Sequence, residues 1–248
     1  MKKLVLVRHG QSNWNLENRF TGWTDVDLSE QGIQEAKEAG DILKQDNYHF
    51  DLAYTSVLVR AIHTLKIILN EMGIEDLPYV ETWKLNERHY GALQEKNKAQ
   101  TAELYGEKQV LIWRRSYDTK PPLLESRDPR NPALQEKYSN IPASQLPLGE
   151  SLKDTVARVI PYYKEEILPK IEKNKKVLIV AHGNSLRSLI MYLEDMTPEE
   201  IMKINIPTGV PLVYELDDDN HFLAKYYLAS ETDLKKKQEA VMNQGKVK

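Results

Sequence analysis

The chain has 248 residues, 34 Lys+Arg against 37 Asp+Glu, a formal charge of −3 and no cysteine. That balance is no footprint for nucleic acid or an anionic membrane, so any strong positive field must be made locally by the fold; thiol catalysis, disulfides and cysteine-based zinc sites are excluded outright. The apolar run Leu4 to Val7 is too short for a signal peptide before Arg8 interrupts it, and nothing approaches transmembrane length, so a cytoplasmic protein with one large domain is expected.

Lys3-Leu4-Val5-Leu6-Val7-Arg8-His9-Gly10 is a short β-branched run ending in His-Gly, which reads as a buried strand of a parallel sheet. A polar loop, Gln11 to Asn15, leads on to Phe20-Thr21-Gly22-Trp23. Ser29 is placed to cap a helix through about Gln45, with Ile33, Ala36, Gly40 and Leu43 on one face. Phe50 to Thr55 is a second strand. Ser56 is expected to cap a helix to Glu71, closed by Gly73, with Leu58, Ile62, Leu65 and Leu69 as its buried stripe and with Arg60 and His63 off it. Residues 77–82 form a short strand entering Glu87-Arg88-His89-Tyr90-Gly91. Residues 96–116 are helical in two pieces split at Gly106.

Six of the twelve prolines fall between Thr119 and Gly149, where apolar periodicity is lost, which is the pattern of a functional lid or of disorder. Ser151 to Ile171 resumes as a helix with a kink expected at Pro161. Lys176-Val177-Leu178-Ile179-Val180-Ala181-His182-Gly183-Asn184 then repeats the opening phrase. A helix follows from Ser185, and Thr197-Pro198 opens a shorter one. Pro211 to Leu216 and His221 to Leu228 are strands about Asp217-Asp218-Asp219-Asn220, a hairpin turn that lacks EF-hand spacing. Residues 231–248, with Lys235-Lys236-Lys237, Lys246 and Lys248, carry no apolar stripe and read as a partly helical polar tail.

Alternating strands and helices predict an α/β three-layer sandwich: a mostly parallel central sheet, helices on both faces, and a Pro-rich lid insertion at about 96–150. Residues 1–230 form the one domain and 231–248 the tail. Neither G-x-x-x-x-G-K-[ST] nor G-x-G-x-x-G occurs. Each histidine of the repeated phrase sits just past the carboxyl end of a strand, where open α/β sheets bind ligands. The glycine after it permits a tight turn or a close approach of ligand to backbone. Neutral imidazole is a nucleophile, and in an arginine-rich site its natural electrophile is a phosphoryl group. Arg8 and Arg60 are plausible bidentate clamps, Arg60 near a helix N-terminus that itself favours anions.

Singly, Arg88 and Lys98 read as solvated charges, and Arg114-Arg115 as complementing a helix end. A metal held by His9, His182 and Glu87 is conceivable from ligand type, but the nearby cations oppose it. His49, His63 and His221 have no motif around them and are assigned structural or surface roles.

Arg8-His9-Gly10 with Ser12 and Asn15, Ser56 with Arg60-Ala61 and Thr64, Glu87, and His182-Gly183 resemble the histidine phosphatase superfamily. Asn18-Arg19-Phe20-Thr21-Gly22-Trp23, Glu87 to Leu93, Asn97-Lys98, Trp113-Arg114-Arg115, Pro121-Pro122 and Leu148-Gly149-Glu150-Ser151 resemble its 2,3-bisphosphoglycerate-dependent phosphoglycerate mutases more closely, from Lys3 to about Tyr227. The resemblance implies that His9 is the phosphorylated nucleophile and that His182 stabilises the transferring group. It places Arg8, Ser12, Asn15, Arg60, Gly183 and Asn184 on the phosphoryl oxygens, with Gly10, Gln11 and Asn13 of the same loop also binding substrate. Glu87 is implied as proton donor and acceptor. Thr21, Gly22, Arg88, Tyr90, Lys98, Arg114 and Arg115 are implied to hold the rest of the phosphoglycerate, with His89 beside them as support for Glu87 and Tyr90.

The implied reaction interconverts 3-phosphoglycerate and 2-phosphoglycerate in glycolysis and gluconeogenesis. It is primed by 2,3-bisphosphoglycerate, with no metal, no nucleic acid and no membrane. Oligomeric state is left open, a homodimer included, and the tail is expected to act as an active-site flap. Gln11 stands where many relatives carry Glu, and Gln94-Glu95-Lys96 replaces a glycine-bearing loop. Two other functions compete. A phosphatase would pass the phosphoryl group to water, but Lys98, Arg114, Arg115 and the Pro-rich stretch look like a dedicated anion-binding lid. A non-catalytic phospho-ligand binder would need no Glu87.

Overall fold

A computed structural model describes residues 2–243 of the chain. Strands β1 (Lys2–Arg8), β2 (Leu52–Thr55), β3 (Tyr79–Glu81), β4 (Val177–Ala181), β5 (Leu212–Leu216) and β6 (Phe222–Tyr227) form one sheet in the order β3-β2-β4-β1-β5-β6. β3, β2, β4 and β1 are mutually parallel, while β5 runs antiparallel to β1 and β6 antiparallel to β5. The period of two in the β1 sequence sets the layers. Leu4 and Leu6 join Ile179 and Tyr214 on one face, and Val5 and Val7 join Leu178, Val180 and Val213 on the other.

Helices α2 (Glu30–Gln45) and α3 (Val59–Met72) cover the valine face through Ala39, Leu43, Leu65 and Ile68. Helices α6 (Leu152–Tyr162) and α8 (Gly183–Leu193) cover the other through Leu152, Val159, Leu186 and Leu189. The predicted three-layer sandwich is the observed one. Shorter helices complete it: α1 (Asn13–Leu16), α4 (Lys98–Tyr105), α5 (Glu107–Arg115), α7 (Leu168–Glu172), α9 (Pro198–Ile201) and α10 (Glu231–Asn243). Among the described residues no helix is long and apolar enough to cross a membrane.

Register decides what meets at the carboxyl end of the sheet. Arg8 of β1 is level with Ala181 of β4, and Thr55 of β2 is level with Val180 of β4. The residues that leave these three neighbouring strands are His9, His182 and Ser56.

Several local expectations are corrected. Ser56 does not cap α3, which starts at Val59 with Leu58 before it and no side-chain cap there; Asp25 Oδ1 takes the Val59 N–H instead, at 2.7 Å. Arg60 lies on the buried side of α3 with Ala61 and Thr64, at 1% exposure, whereas Ile62 is only half-buried. The reason is that its guanidinium is paired: Nη1 and Nη2 donate to the carbonyls of Thr24 and Gly22. Pro161 is inside α6, and the irregularity comes just after it as a π-helical turn, Tyr163–Ile167.

The stretch 119–149 is not patternless filler. Tyr138 and Leu146 bury against Trp23, and Arg130 donates to the Gln94 carbonyl. On α10, Val241 is buried and Leu234 and Gln238 are half-buried on the same side, so the tail does carry a short inward stripe. Residues 244–248 of the tail, with Lys246 and Lys248, lie outside the described residues.

Candidate active site

A cleft opens over the carboxyl ends of β1 and β4, lined by Arg8, His9, Asn15, Thr21, Gly22, Arg60, Glu87, Tyr90, Lys98, Arg114, Arg115, Gly183 and Asn184, all of them singled out in the sequence. It is also lined by Arg19, Phe20, Arg187, Ile206 and Val241, which were not assigned a role. His9 Nδ1 is 2.6 Å from its neighbour's carbonyl, Gly10 O. A carbonyl only accepts, so Nδ1 carries the ring proton and Nε2 keeps its lone pair. The His9 and His182 rings stand edge to face with centroids 4.9 Å apart. Burial, then Arg60 and Arg8, hold His9 well below the usual imidazole range. Burial, then Arg60, His9 and Arg8, do the same to His182. Both rings are therefore neutral at pH 7.

The carboxylate of Glu87 is held at one oxygen. Oε1 accepts Arg88 N–H at 2.7 Å and Asn184 N–H at 3.1 Å. Oε2 and the Arg8 guanidinium both approach Gly183 so closely that a Cβ there would meet each at 3.7 Å. Arg8 Nη1 donates to Ile206 O at 2.8 Å, while its Nε is buried with no partner among the described residues. Thr21 Oγ1 and His182 Nδ1 are orphaned in the same way. Arg8 and Thr21 line the cleft and His182 adjoins it through His9, so these buried polar atoms are available to a ligand there.

The cations crowd one another. Burial, then Arg114 and Arg8, bring the Lys98 ammonium down to about 7, against a partial rescue by Glu87. Burial, then Arg115, brings Arg187 to about 9, and burial brings Arg60 to about 10, so both stay charged at neutral pH. Tyr90 is pushed up by burial, but Arg88, Arg114 and Arg187 outweigh that and leave its phenol below the ordinary value.

The model of the histidine phosphatase superfamily (branch 1) matches residues 4–129 and 126–228. A 2,3-bisphosphoglycerate-dependent phosphoglycerate mutase of Lachnoclostridium phytofermentans is 61% identical over 245 residues, covering 99% of this chain and 98% of that one. The chain belongs to the histidine phosphatase superfamily, among its 2,3-bisphosphoglycerate-dependent phosphoglycerate mutases. A second such mutase, of Treponema denticola, is 58% identical over 99% of this chain and the whole of its own. A mycobacterial glucosyl-3-phosphoglycerate phosphatase superposes with a TM-score of 0.70 at 24% identity over 93% of this chain and all of that one. A phosphoglycerate mutase of Bacillus anthracis superposes with 0.66 at 19% over 99% and 97%. At these identities the structural likeness is one of fold.

Other residues implied by resemblance to these mutases stand behind the cleft rather than in it. Gly10 meets backbone, not ligand: a Cβ there would be 2.2 Å from Gly32 O, and its N–H donates to Thr64 Oγ1. Gln11 turns to Ser29, which donates to Gln11 Oε1 at 2.9 Å, and Asn13 is exposed with its amide toward Leu28 O. Ser12 is spent on the capping box of α1, exchanging bonds with Asn15. Arg88 is fully buried, donates to Trp113 O and lies 4.6 Å from the Tyr90 ring centre, so it backs that ring. His89 packs at a tilt against Trp23 and accepts Gly91 N–H, and burial, then Arg158 and Arg130, lower it to about 3. From the insertion, Lys98, Arg114 and Arg115 line the cleft, whereas no residue of the Pro-rich stretch does.

Sequence reasoning missed Arg187 and the pair Glu150–Arg158. Arg187 lies three residues after Asn184 on α8, the same-face spacing, and its Nη1 donates to Asn184 Oδ1 at 3.1 Å. That spacing was the available signal. Arg158 had none, because Glu150 lies ahead of the helix that carries Arg158 and its other partners are distant backbone carbonyls. Among the described residues no group of three or more His, Asp or Glu side chains is arranged to hold a metal ion.

Proposed function

We propose that the chain interconverts 3-phosphoglycerate and 2-phosphoglycerate through a phosphohistidine at His9, primed by 2,3-bisphosphoglycerate. The observation that carries this is the His9 ring itself: neutral, with its proton fixed on Nδ1 by Gly10 O and its Nε2 lone pair free beside His182, Arg8 and Arg60. In the priming half-reaction Nε2 forms a bond to phosphorus as the phosphorus–oxygen bond to the substrate carbon skeleton breaks. Glu87, protonated, gives its proton to the departing oxygen and regains one from the hydroxyl that next attacks. Arg8 and Arg60 meet the charge spread over the equatorial oxygens with fixed planar donors.

A bisphosphorylated acid fits what the cleft offers. Lys98, Arg114, Arg115 and Arg187 line it in addition to Arg8 and Arg60, and the orphaned Arg8 Nε, His182 Nδ1 and Thr21 Oγ1 supply further donors. The three cations Lys98, Arg114 and Arg115 favour retention of the carboxylate-bearing end, which an isomerase needs while its intermediate turns over and a hydrolase does not. Val241 of α10 closes part of the cleft wall and supports a flap role for the tail.

The test is isomerisation of 3-phosphoglycerate with and without a trace of 2,3-bisphosphoglycerate. Stimulation by the trace is expected, with acid-labile, base-stable label on the protein that vanishes in His9→Ala. Label that persists in that variant, or phosphate release in place of isomerisation, refutes the reading.

A further inference from the structure

We propose that Ser56 is a positioning residue for His182, holding that ring as its Nδ1–H tautomer so that Nδ1 is the donor left for the phosphoryl group. The inference rests on the role assigned to His182 above. Because β2, β4 and β1 are neighbours in the sheet, Ser56, His182 and His9 form a row across three strand ends. Ser56 Oγ is 2.7 Å from His182 Nε2, and both residues are fully buried. The same oxygen accepts Leu58 N–H at 3.1 Å. A hydroxyl that already accepts a backbone N–H has its own hydrogen to give. Given to Nε2, that hydrogen makes Nε2 an acceptor and places the single ring proton on Nδ1.

The opposite tautomer would make Oγ accept twice and strand a buried hydroxyl hydrogen, which is the costly arrangement. His182 Nδ1 is the ring nitrogen without a partner among the described residues, and the ring is edge to face with His9. The neutral state of the ring makes the placement of its one proton matter, since only one nitrogen can donate. A serine kept for capping would bond the first turn of α3, yet that work falls to Asp25 from a separate loop.

Two measurements test this. In the wild-type protein labelled with 15N-histidine, His182 is expected at pH 7 with Nδ1 protonated and Nε2 unprotonated. A dominant Nε2–H form overturns the inference whatever the kinetics. In Ser56→Ala, rapid-quench transfer from 2,3-bisphosphoglycerate to His9 is expected to fall on the order of 10–100-fold, the loss of one hydrogen bond to a group that gains charge character. The affinity for 3-phosphoglycerate should hold within about threefold, as for an interaction made mainly in the transition state.

Ser56→Ala added to His182→Ala should slow transfer no further, since Ser56 acts through that ring; a further loss overturns the proposal. If Ser56→Ala transfers at the wild-type rate while His182→Ala does not, the Ser56 inference fails alone. If both transfer at the wild-type rate, the assignment of His182 has failed first.

Discussion

Arg158→Leu should cost more stability than any exposed charge in this protein, and its size can be worked from the partners it strands. Arg158 Nε and Nη2 fork onto Glu150 Oε1 and Oε2 at 2.8 and 2.9 Å, with side chains 6% and 5% exposed. The remaining donors reach the carbonyls of Trp83, Lys84, Asn86 and Glu87, the segment that delivers Glu87 to the cleft. Leucine keeps part of the stem but leaves the Glu150 carboxylate buried with only the His89 N–H on Oε2.

Breaking a buried pair on one side costs about 3–5 kcal/mol. For a chain of this length each kcal/mol lowers Tm by roughly 2–4 °C, so the melting point should fall by about 6–20 °C. Calorimetry and urea unfolding measure it. The double variant Glu150→Leu/Arg158→Leu should be more stable than Arg158→Leu, since no charge is left unpaired. In the folded fraction kcat should fall more than KM rises, because the carboxylate shuttle loses its support. A loss under about 1 kcal/mol, the worth of a surface ion pair, would refute the argument.

Glu87→Gln keeps the size and the two backbone hydrogen bonds but not the shuttle, so turnover should drop about 10²–10⁴-fold with little change in substrate affinity; near-normal turnover would mean another group moves the proton. Lys98 stands at about 7 in the free protein and rises when an anion binds. Affinity for 3-phosphoglycerate should therefore decline as pH rises above 7 toward the pKa of Lys98 in the complex, with that decline absent in Lys98→Met as read by titration calorimetry. Gly10→Ala sets a Cβ 2.2 Å from Gly32 O and should lower Tm by about 2–12 °C, from an overpacking cost on the order of 1–3 kcal/mol; an unchanged melting point would show that α2 yields freely. Deleting residues 231–248 should leave His9 phosphorylation intact while slowing isomerisation and hastening hydrolysis of the phosphoenzyme, and full-length rates for both would remove the tail from the mechanism.

The repeated strand–His–Gly phrase placed both histidines at strand ends because strand ends follow from apolar runs, while the pairing that sets β1 beside β4 came from the structure. Helix α2 was equally readable from Ser29 and its stripe. What the sequence hid was the part decided by long-range partners. Arg60 read as off the buried stripe, since a charge at that helical position is normally solvated; two loop carbonyls make its burial affordable. Ser56 read as a cap for the same reason, and its bond to His182 depends on a strand more than a hundred positions away, |i−j| = 126. The Pro-rich stretch has no period because it packs as successive short turns onto Trp23 and Trp83, and its burial follows from Tyr138 and Leu146 rather than from any repeat. Glu95, in the loop Gln94-Glu95-Lys96, adopts φ 76°, the left-handed conformation that glycine tolerates best. Nothing in the residue type announces that backbone.

The cage of cations explains why one pocket can favour retention over release. Empty, it opposes its own charges: Lys98 is depressed by burial and by Arg114 and Arg8, and Arg187 by burial and by Arg115. Every negative charge that enters relieves both the desolvation and the mutual repulsion, so the gain grows with the charge of the ligand. Under the proposed mechanism the bisphosphorylated intermediate is the most highly charged species on the path. It should be held more tightly than either monophosphate, long enough to present its other phosphate to His9. The two groups of cations are carried differently: Arg8 ends β1 and Arg60 lies in the first turn of α3, whereas Lys98, Arg114 and Arg115 ride on α4 and α5 of the insertion. Under the proposed mechanism the cations that meet the transferring phosphoryl group are those of the first group. On the same mechanism the second group retains the intermediate, so trimming charges from α4 and α5 should turn isomerisation toward hydrolysis before it touches phosphorylation of His9.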